Sequence, residues 1–271
     1  MTRRIFGLDF SGAKKAGRLI WLAEGRQSGR GFHILTCMPA AELPGGAADR
    51  ERAFAALRNF IASTSDAIFG CDFPFSLPNA LLRAKTWPDF LARFDHASAE
   101  AFRKHCCNLT GGKEPKRKTD EESKTPWSAF NIRLHHQTYH GLAGLLRPLV
   151  RQDMANVLPM QKPRRGRAWI IETCPASTLK YLHWRGSYKS TGLGSQRQAI
   201  LALLRDQAGL QALPSSIERI VLENAGGDAL DSIIAALATA AALAQIDAGD
   251  RSGDQLEGRV YFRVRDADGG P

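Results

Sequence analysis

The chain has 271 residues, of which 44% are hydrophobic and 24% charged, and a formal net charge of +10. That is an ordinary globular composition, long enough for one large core or one core with a sizeable insertion. The positive balance favours phosphate-rich partners without identifying them.

In chain order, Met1-Thr2-Arg3-Arg4 runs at once into the apolar stretch Ile5-Phe6-Gly7-Leu8-Asp9. An acid at that point, and no apolar h-region, argue against a signal peptide. No stretch approaches the ~18 uninterrupted apolar residues of a membrane helix, so a cytoplasmic protein with no membrane partner is expected. Arg4–Phe10, Arg18–Ala23 and Phe32–Cys37 are short apolar runs separated by glycine-containing turns, which predicts an antiparallel meander. Ala48–Ala62 spaces Phe54, Leu57, Phe60 and Ile61 as a helix does, and Ala67–Asp72 reads as a buried strand stopped by Phe73-Pro74. The first part is therefore β-β-β-α-β.

Residues of about 79–163 read as a mainly helical insertion within one domain, since their apolar content needs the sheet to pack against. Inside it, Asn108–Pro126 is polar and lysine-rich, and reads as a loop or mobile segment. The helical pattern resumes over Trp127–Val150. The core pattern returns at Ala168–Glu172, with Pro175 placed for the first turn of a helix. Helices are expected around Gln196–Ala208, Ile217–Asn224 and Asp228–Ile246, the last packing closely through its alanines at Ala235–Leu243. A strand-like run, Gly258–Val264, precedes a polar tail.

Five cysteines (Cys37, Cys71, Cys106, Cys107 and Cys174) make an odd count with no C-x-x-C pair. A disulfide framework and a thiolate zinc site are both disfavoured. His136 and His140 are spaced i, i+4 with His135 beside them, but the zinc-protease pattern needs a glutamate where Gln137 stands. The three read as surface or packed histidines. Trp127 and Phe130 read first as core anchors, with base stacking as the alternative.

The acids carry more. Asp9, Asp72 and Glu172 end predicted core strands, where ligand sites of α/β sheets converge. Asp228 and Asp231 share one helix face. Each has a simpler reading as a cap or turn residue. Gathered together they would repel one another unless a hard divalent cation resolved the conflict, and Mg²⁺ or Mn²⁺ suits oxygen ligands. Ser11 and Lys14, just after Asp9, are compatible with phosphate binding. So are Lys116, Arg117 and Lys118 in the polar segment, although Asp120, Glu121 and Glu122 offset their charge.

Four of these stretches carry a resemblance: Gly7-Leu8-Asp9-Phe10-Ser11-Gly12, Cys71-Asp72-Phe73-Pro74-Phe75-Ser76-Leu77-Pro78, Ile171-Glu172-Thr173-Cys174-Pro175 and Asp228-Ala229-Leu230-Asp231-Ser232. With Lys116-Arg117-Lys118-Thr119-Asp120 and Glu257-Gly258-Arg259, they resemble the domain-of-unknown-function 429 family. That family is regarded as a predicted nuclease group with an RNase H-like fold. The resemblance implies a five-stranded mixed sheet whose first three strands are antiparallel. It also implies a metal-dependent nuclease or related phosphodiesterase acting on nucleic acid or another phosphate-rich substrate. Asp9, Asp72 or Glu172, and Asp228 or Asp231, would then hold Mg²⁺ or Mn²⁺ for two-metal hydrolysis. Two alternatives stand beside it. One is an actin-like phosphotransferase or ATPase, which would need a second glycine-rich loop. The other is a non-catalytic module binding nucleic acid or a partner on the same scaffold.

Overall fold

The computed structural model describes residues 3–29, 31–249 and 253–264; the polar tail beyond Val264 lies outside them. β1 (Arg4–Asp9) leads through a short helix, α1 (Ala16–Leu19), into β2 (Trp21–Ser28) and β3 (Gly31–Pro39). α2 (Arg50–Ser63) follows, started by Asp49, whose carboxylate accepts a hydrogen bond from the Arg52 amide at 3.0 Å. β4 (Ala67–Asp72) then returns beside β1.

The next stretch carries α3 (Trp87–Ala92), α4 (Ala99–Leu109), α5 (Lys118–Glu122), α6 (His135–His140), a π-helical turn (Gly141–Leu146) and α7 (Arg147–Arg151). It closes on a strand, β5 (Ala155–Val157), ahead of β6 (Ala168–Thr173). α8 (Pro175–Tyr181) begins at the proline that needs no amide partner there. α9 (Gly194–Ala208), α10 (Ser215–Glu223), α11 (Asp228–Asp247) and β7 (Val260–Tyr261) complete the order.

All seven strands form one mixed sheet flanked by helices, in the order β3-β2-β1-β4-β6-β5, with β7 also pairing β6. β1, β2 and β3 are antiparallel neighbours, whereas β4 and β6 run parallel to β1. The expected count of five strands is corrected to seven. The two additions are short and share the outer edge of β6: β5 pairs with Ala168–Ile170 and β7 with Glu172 and Thr173. β7 falls within the strand-like run expected at Gly258–Val264, whereas the three residues of β5 leave too little alternation to be read from sequence. The second strand is corrected as well. Arg18 and Leu19 belong to a helical turn closed by the Ile20 amide on Ala16 O, and β2 runs on through Gly25.

Alternation along the strands divides the core. Phe6, Leu8, Phe69 and Ile170 face α2, α3, α4 and the Gly141–Arg151 turns. Ile5, Ile68 and Ile171 face α8 to α11. α11 is apolar and long enough to cross a membrane by composition alone, with a mean hydropathy of 1.7 over its best window. Here 78% of that window is buried inside the fold, and the helix lies across the sheet as its central brace.

Candidate metal centre

The site begins with register. β1 and β4 are parallel and aligned so that Asp9 sits directly beside Asp72 at their C-terminal ends. Both chains then leave the sheet, which puts two carboxylates at one edge. The remaining acids come from α11, and a glycine sets how closely that helix can approach. A Cβ at Gly7 would collide with backbone atoms of Ser232 and Ala236, so only a glycine lets α11 lie directly on β1. Two residues along the strand from Gly7 is Asp9; one residue back along the helix from Ser232 is Asp231. The close approach therefore carries the first turn of α11, with Asp228 and Asp231, onto the Asp9–Asp72 edge. Asp231 is 1% exposed, and Asp228 hydrogen-bonds through its side chain with Asp9 and Asn224.

Two residues that the sequence did not single out complete this pocket. Lys189 Nζ stands 2.5 Å from Asp231 Oδ2, and the Tyr188 hydroxyl donates to Asp231 Oδ1 at 2.7 Å. The buried guanidinium of Arg197, on α9, holds their loop by donating to the carbonyls of Tyr188 and Ser190 at 2.7 and 3.2 Å. Lys189 thus supplies the one positive charge aimed into the group of acids among the described residues.

Electrostatics follow from that crowding. Burial, and then the neighbouring charges of Asp231 and Asp72, push the Asp9 carboxyl well above the usual range. Burial and Asp231 raise Asp72 to about 7. Asp228 is raised chiefly by burial. Burial works against the charge of Lys189, but Asp231 and Asp9 outweigh it and hold the ammonium above the ordinary lysine value. Burial and Asp231 keep Tyr188 protonated and donating.

Glu172 is tied to a buried guanidinium. It ends β6 as expected, but both its oxygens are taken. Arg117 donates to Oε2 at 2.8 Å and to Oε1 at 2.5 Å, and the Phe75 amide donates to Oε2 at 3.0 Å. The other edge of the guanidinium grips Asp120, at 2.9 and 2.7 Å. Arg117, expected to hold phosphate, is 0% exposed. A buried guanidinium between two carboxylates is a structural tie, not a free ligand for substrate. The polar segment around it is packed accordingly: Glu257 accepts from the Lys118 and Asn79 amides, and Thr119 Oγ1 from the Val260 amide. Lys116 donates to the carbonyl of Thr125, and Lys118 stands exposed 3.9 Å from Glu122. The basic cluster therefore does not converge on the acids.

Of the five acids, then, the structure gathers Asp9, Asp72, Asp228 and Asp231, and diverts Glu172. No three of them offer oxygens all within 4.8 Å of one another. Among the described residues that spacing is met by Glu100, His135 and His136, of which His135 is buried. There, His136 Nε2 lies 3.3 Å from Glu100 Oε1, and His135 Nδ1 is engaged with the Ile132 carbonyl at 3.0 Å. His140 is withdrawn from that group, its Nε2 lying 2.8 Å from Arg50.

On the face of the sheet opposite α11, beyond the end of β1, opens a cavity of about 610 Å³. Its walls are the loop after β1, the start of α2, the start of α4, and α6. Gln137 ties it to the acid edge by donating to the Asp72 carbonyl at 2.5 Å. Ser11 lines it, its Oγ accepting from the Ala13 amide at 3.3 Å. No protein-family profile, curated protein or solved structure matches the chain.

Proposed function

We propose that the Asp9, Asp72, Asp228 and Asp231 pocket binds a divalent cation, Mg²⁺ or Mn²⁺, and hydrolyses phosphodiester bonds. One observation carries this: four acids meet at one sheet edge, and burial with mutual repulsion raises the pKa of three of them. With a single lysine among them, these carboxyls hold protons that a cation can replace, and a set of carboxylate oxygens is the chemistry that hard divalent cations fit. Bound there, the cation would supply an activated water and neutralise charge at the phosphoryl group.

The chain's own residues have separable roles in this reading. Asp9 and Asp72 are the strand ligands, and Asp231 and Asp228 the helix ligands. Tyr188 and Lys189 orient Asp231 by occupying one oxygen each. Lys189, half exposed, is the positive charge beside these acids that a phosphate oxygen would meet. An RNase H-like fold is part of the proposal. It is supported by three antiparallel strands followed by parallel β4 and β6, with an acid at the end of the first strand and more acids on a late helix.

A second reading has one observation in its favour. Lys189 already neutralises Asp231, and the acids stand wider than a closed metal triad, as in a module that binds without cleaving. Mn²⁺ binding by calorimetry, together with cleavage of a DNA and RNA panel, decides between them. The expected result is that Asp9→Asn loses both binding and cleavage, while His136→Ala, which removes the Glu100, His135 and His136 group, keeps Mn²⁺ binding. Equal trace activity in wild type and Asp9→Asn on every substrate would sink the catalytic reading.

A further inference from the structure

The cavity at the Phe10–Lys14 loop is a cation-lined pocket with a built wall. Lys14, Arg50 and Arg133 face it, against a single carboxylate among its described lining residues, Glu100, which is paired with His136 at 3.3 Å. Arg50 is held in place from behind. Its NH1 donates to the Gly12 carbonyl at 2.9 Å and to His140 Nε2 at 2.8 Å. An arginine has only donors, so His140 must accept through Nε2 and stay neutral. Burial and Arg50 push that histidine down to about 4, in keeping with this. The remaining guanidinium donors, Nε and NH2, have no protein partner among the described residues. Gly12 permits the arrangement, because a Cβ there would meet the His136 carbonyl at 2.5 Å. The result is a guanidinium fixed in position with its donors unspent, which is how anion sites are pre-organised.

Arg133 joins this cavity to an aromatic surface. Its guanidinium lies 4.8 Å over the ring of Trp127, which is 37% exposed, unlike its neighbour Phe130 in the core. Cations for phosphates beside an accessible indole are the pairing that recognises unpaired nucleotides. A duplex covers the faces of its bases, so an indole can stack only on an unpaired one.

We infer that this cavity, with Trp127 at its rim, binds the sugar–phosphate backbone of a single nucleic-acid strand that passes round the ends of β1 and β4 to the acid pocket. The inference rests on the reading of that pocket as a phosphodiester-cleaving centre, and it names the substrate class. The loop from Phe10 to Lys14 and the Gln137–Asp72 contact place the cavity against the ends of β1 and β4.

The test is fluorescence anisotropy of a labelled ten-nucleotide oligothymidylate, with metal chelated so that cleavage cannot occur. Lys14→Ala combined with Arg133→Ala is expected to weaken binding about tenfold or more and to flatten its salt dependence. Trp127→Ala is expected to weaken it several-fold with the salt slope unchanged. All three side chains lie on the surface, so the variants should keep the wild-type circular dichroism and melting point. Wild-type affinity in the Lys14/Arg133 variant overturns the inference. So does tighter binding of a matched duplex than of the single strand, or displacement by inorganic phosphate as effective as by unlabelled strand. Mn²⁺ binding by Asp9→Asn, measured separately, reports on the acid pocket. Its failure there leaves the strand-binding result readable by itself.

Discussion

Asp231 is held by two neighbours of different kinds, a lysine ammonium at 2.5 Å and a phenol at 2.7 Å, on a side chain that is almost wholly buried. Removing the ammonium leaves a buried carboxylate with a hydroxyl as its partner. Lys189→Ala is therefore expected to cost about 1–3 kcal/mol in metal-free buffer, since its half-exposed ammonium is partly screened. Urea unfolding measures this, and Mn²⁺ should restore more stability to the variant than it adds to the wild type. Glu172 gives the opposite test. With its oxygens committed to Arg117 and Phe75, Glu172→Gln should cost about 3–5 kcal/mol by leaving a buried guanidinium half-compensated. Its Mn²⁺ affinity should stay within about twofold of wild type. A folded Glu172→Gln protein that no longer binds Mn²⁺ would return Glu172 to the ligand set. At this scale Asp9 and Asp72 were legible because each ends an apolar run before a breaker. Lys189 was not, because residues 182–193 show no periodicity and the lysine finds its partner 42 positions later. The fate of Arg117 depends on an acid 55 residues away, which local charge counting cannot reveal.

Among the elements, α11 against β1 determines whether a site exists at all. Gly7→Ala places a methyl against helix backbone, which cannot rotate away as a side chain would. The helix must lift from the strand, and the expected loss is about 3 kcal/mol or more. Chemical denaturation checks the stability. Mn²⁺ binding checks the geometry, and it should weaken even in protein that remains folded, because Asp228 and Asp231 move with the helix. The long periodic elements (α2, α9 and α11) and the compact strand β4 were readable from sequence within a few residues. β7 fell within the strand-like run Gly258–Val264, but β5 and α5 were not readable. β5 is three residues long and exists through pairing with β6, and α5 is fastened by Asp120, Glu257 and Thr119 rather than by its own propensity.

For the whole molecule, the acid pocket couples stability to pH. Asp9, Asp72 and Asp228 all hold their protons more tightly folded than unfolded. The stability they contribute is complete below the unfolded carboxyl value of 3.8 and is lost as pH rises through the folded value, about 7 for Asp72. Metal-free protein is thus expected to melt at progressively lower temperature between about pH 4 and pH 7. A divalent cation replaces those protons, so the Mn²⁺-induced rise in Tm should be larger at about pH 8 than at about pH 5. Calorimetric scans across pH, with and without Mn²⁺, check both. A pH-independent Tm in chelator would mean that the acids are not crowded in solution.

The seating of α11 on Gly7 also sets an order of events during synthesis. The first strand leaves the ribosome with Asp9, and Asp72 can align beside it once β4 has been made. Lys189 and the two helix acids follow more than a hundred residues later. Until α11 emerges, the bare glycine face of β1 has nothing to cover it, and the two strand acids share an edge with no cation of the chain's own. A chain whose β1 and β4 paired before α11 emerged would carry half a pocket open to water, so completing the sheet's cover and completing the site are one step.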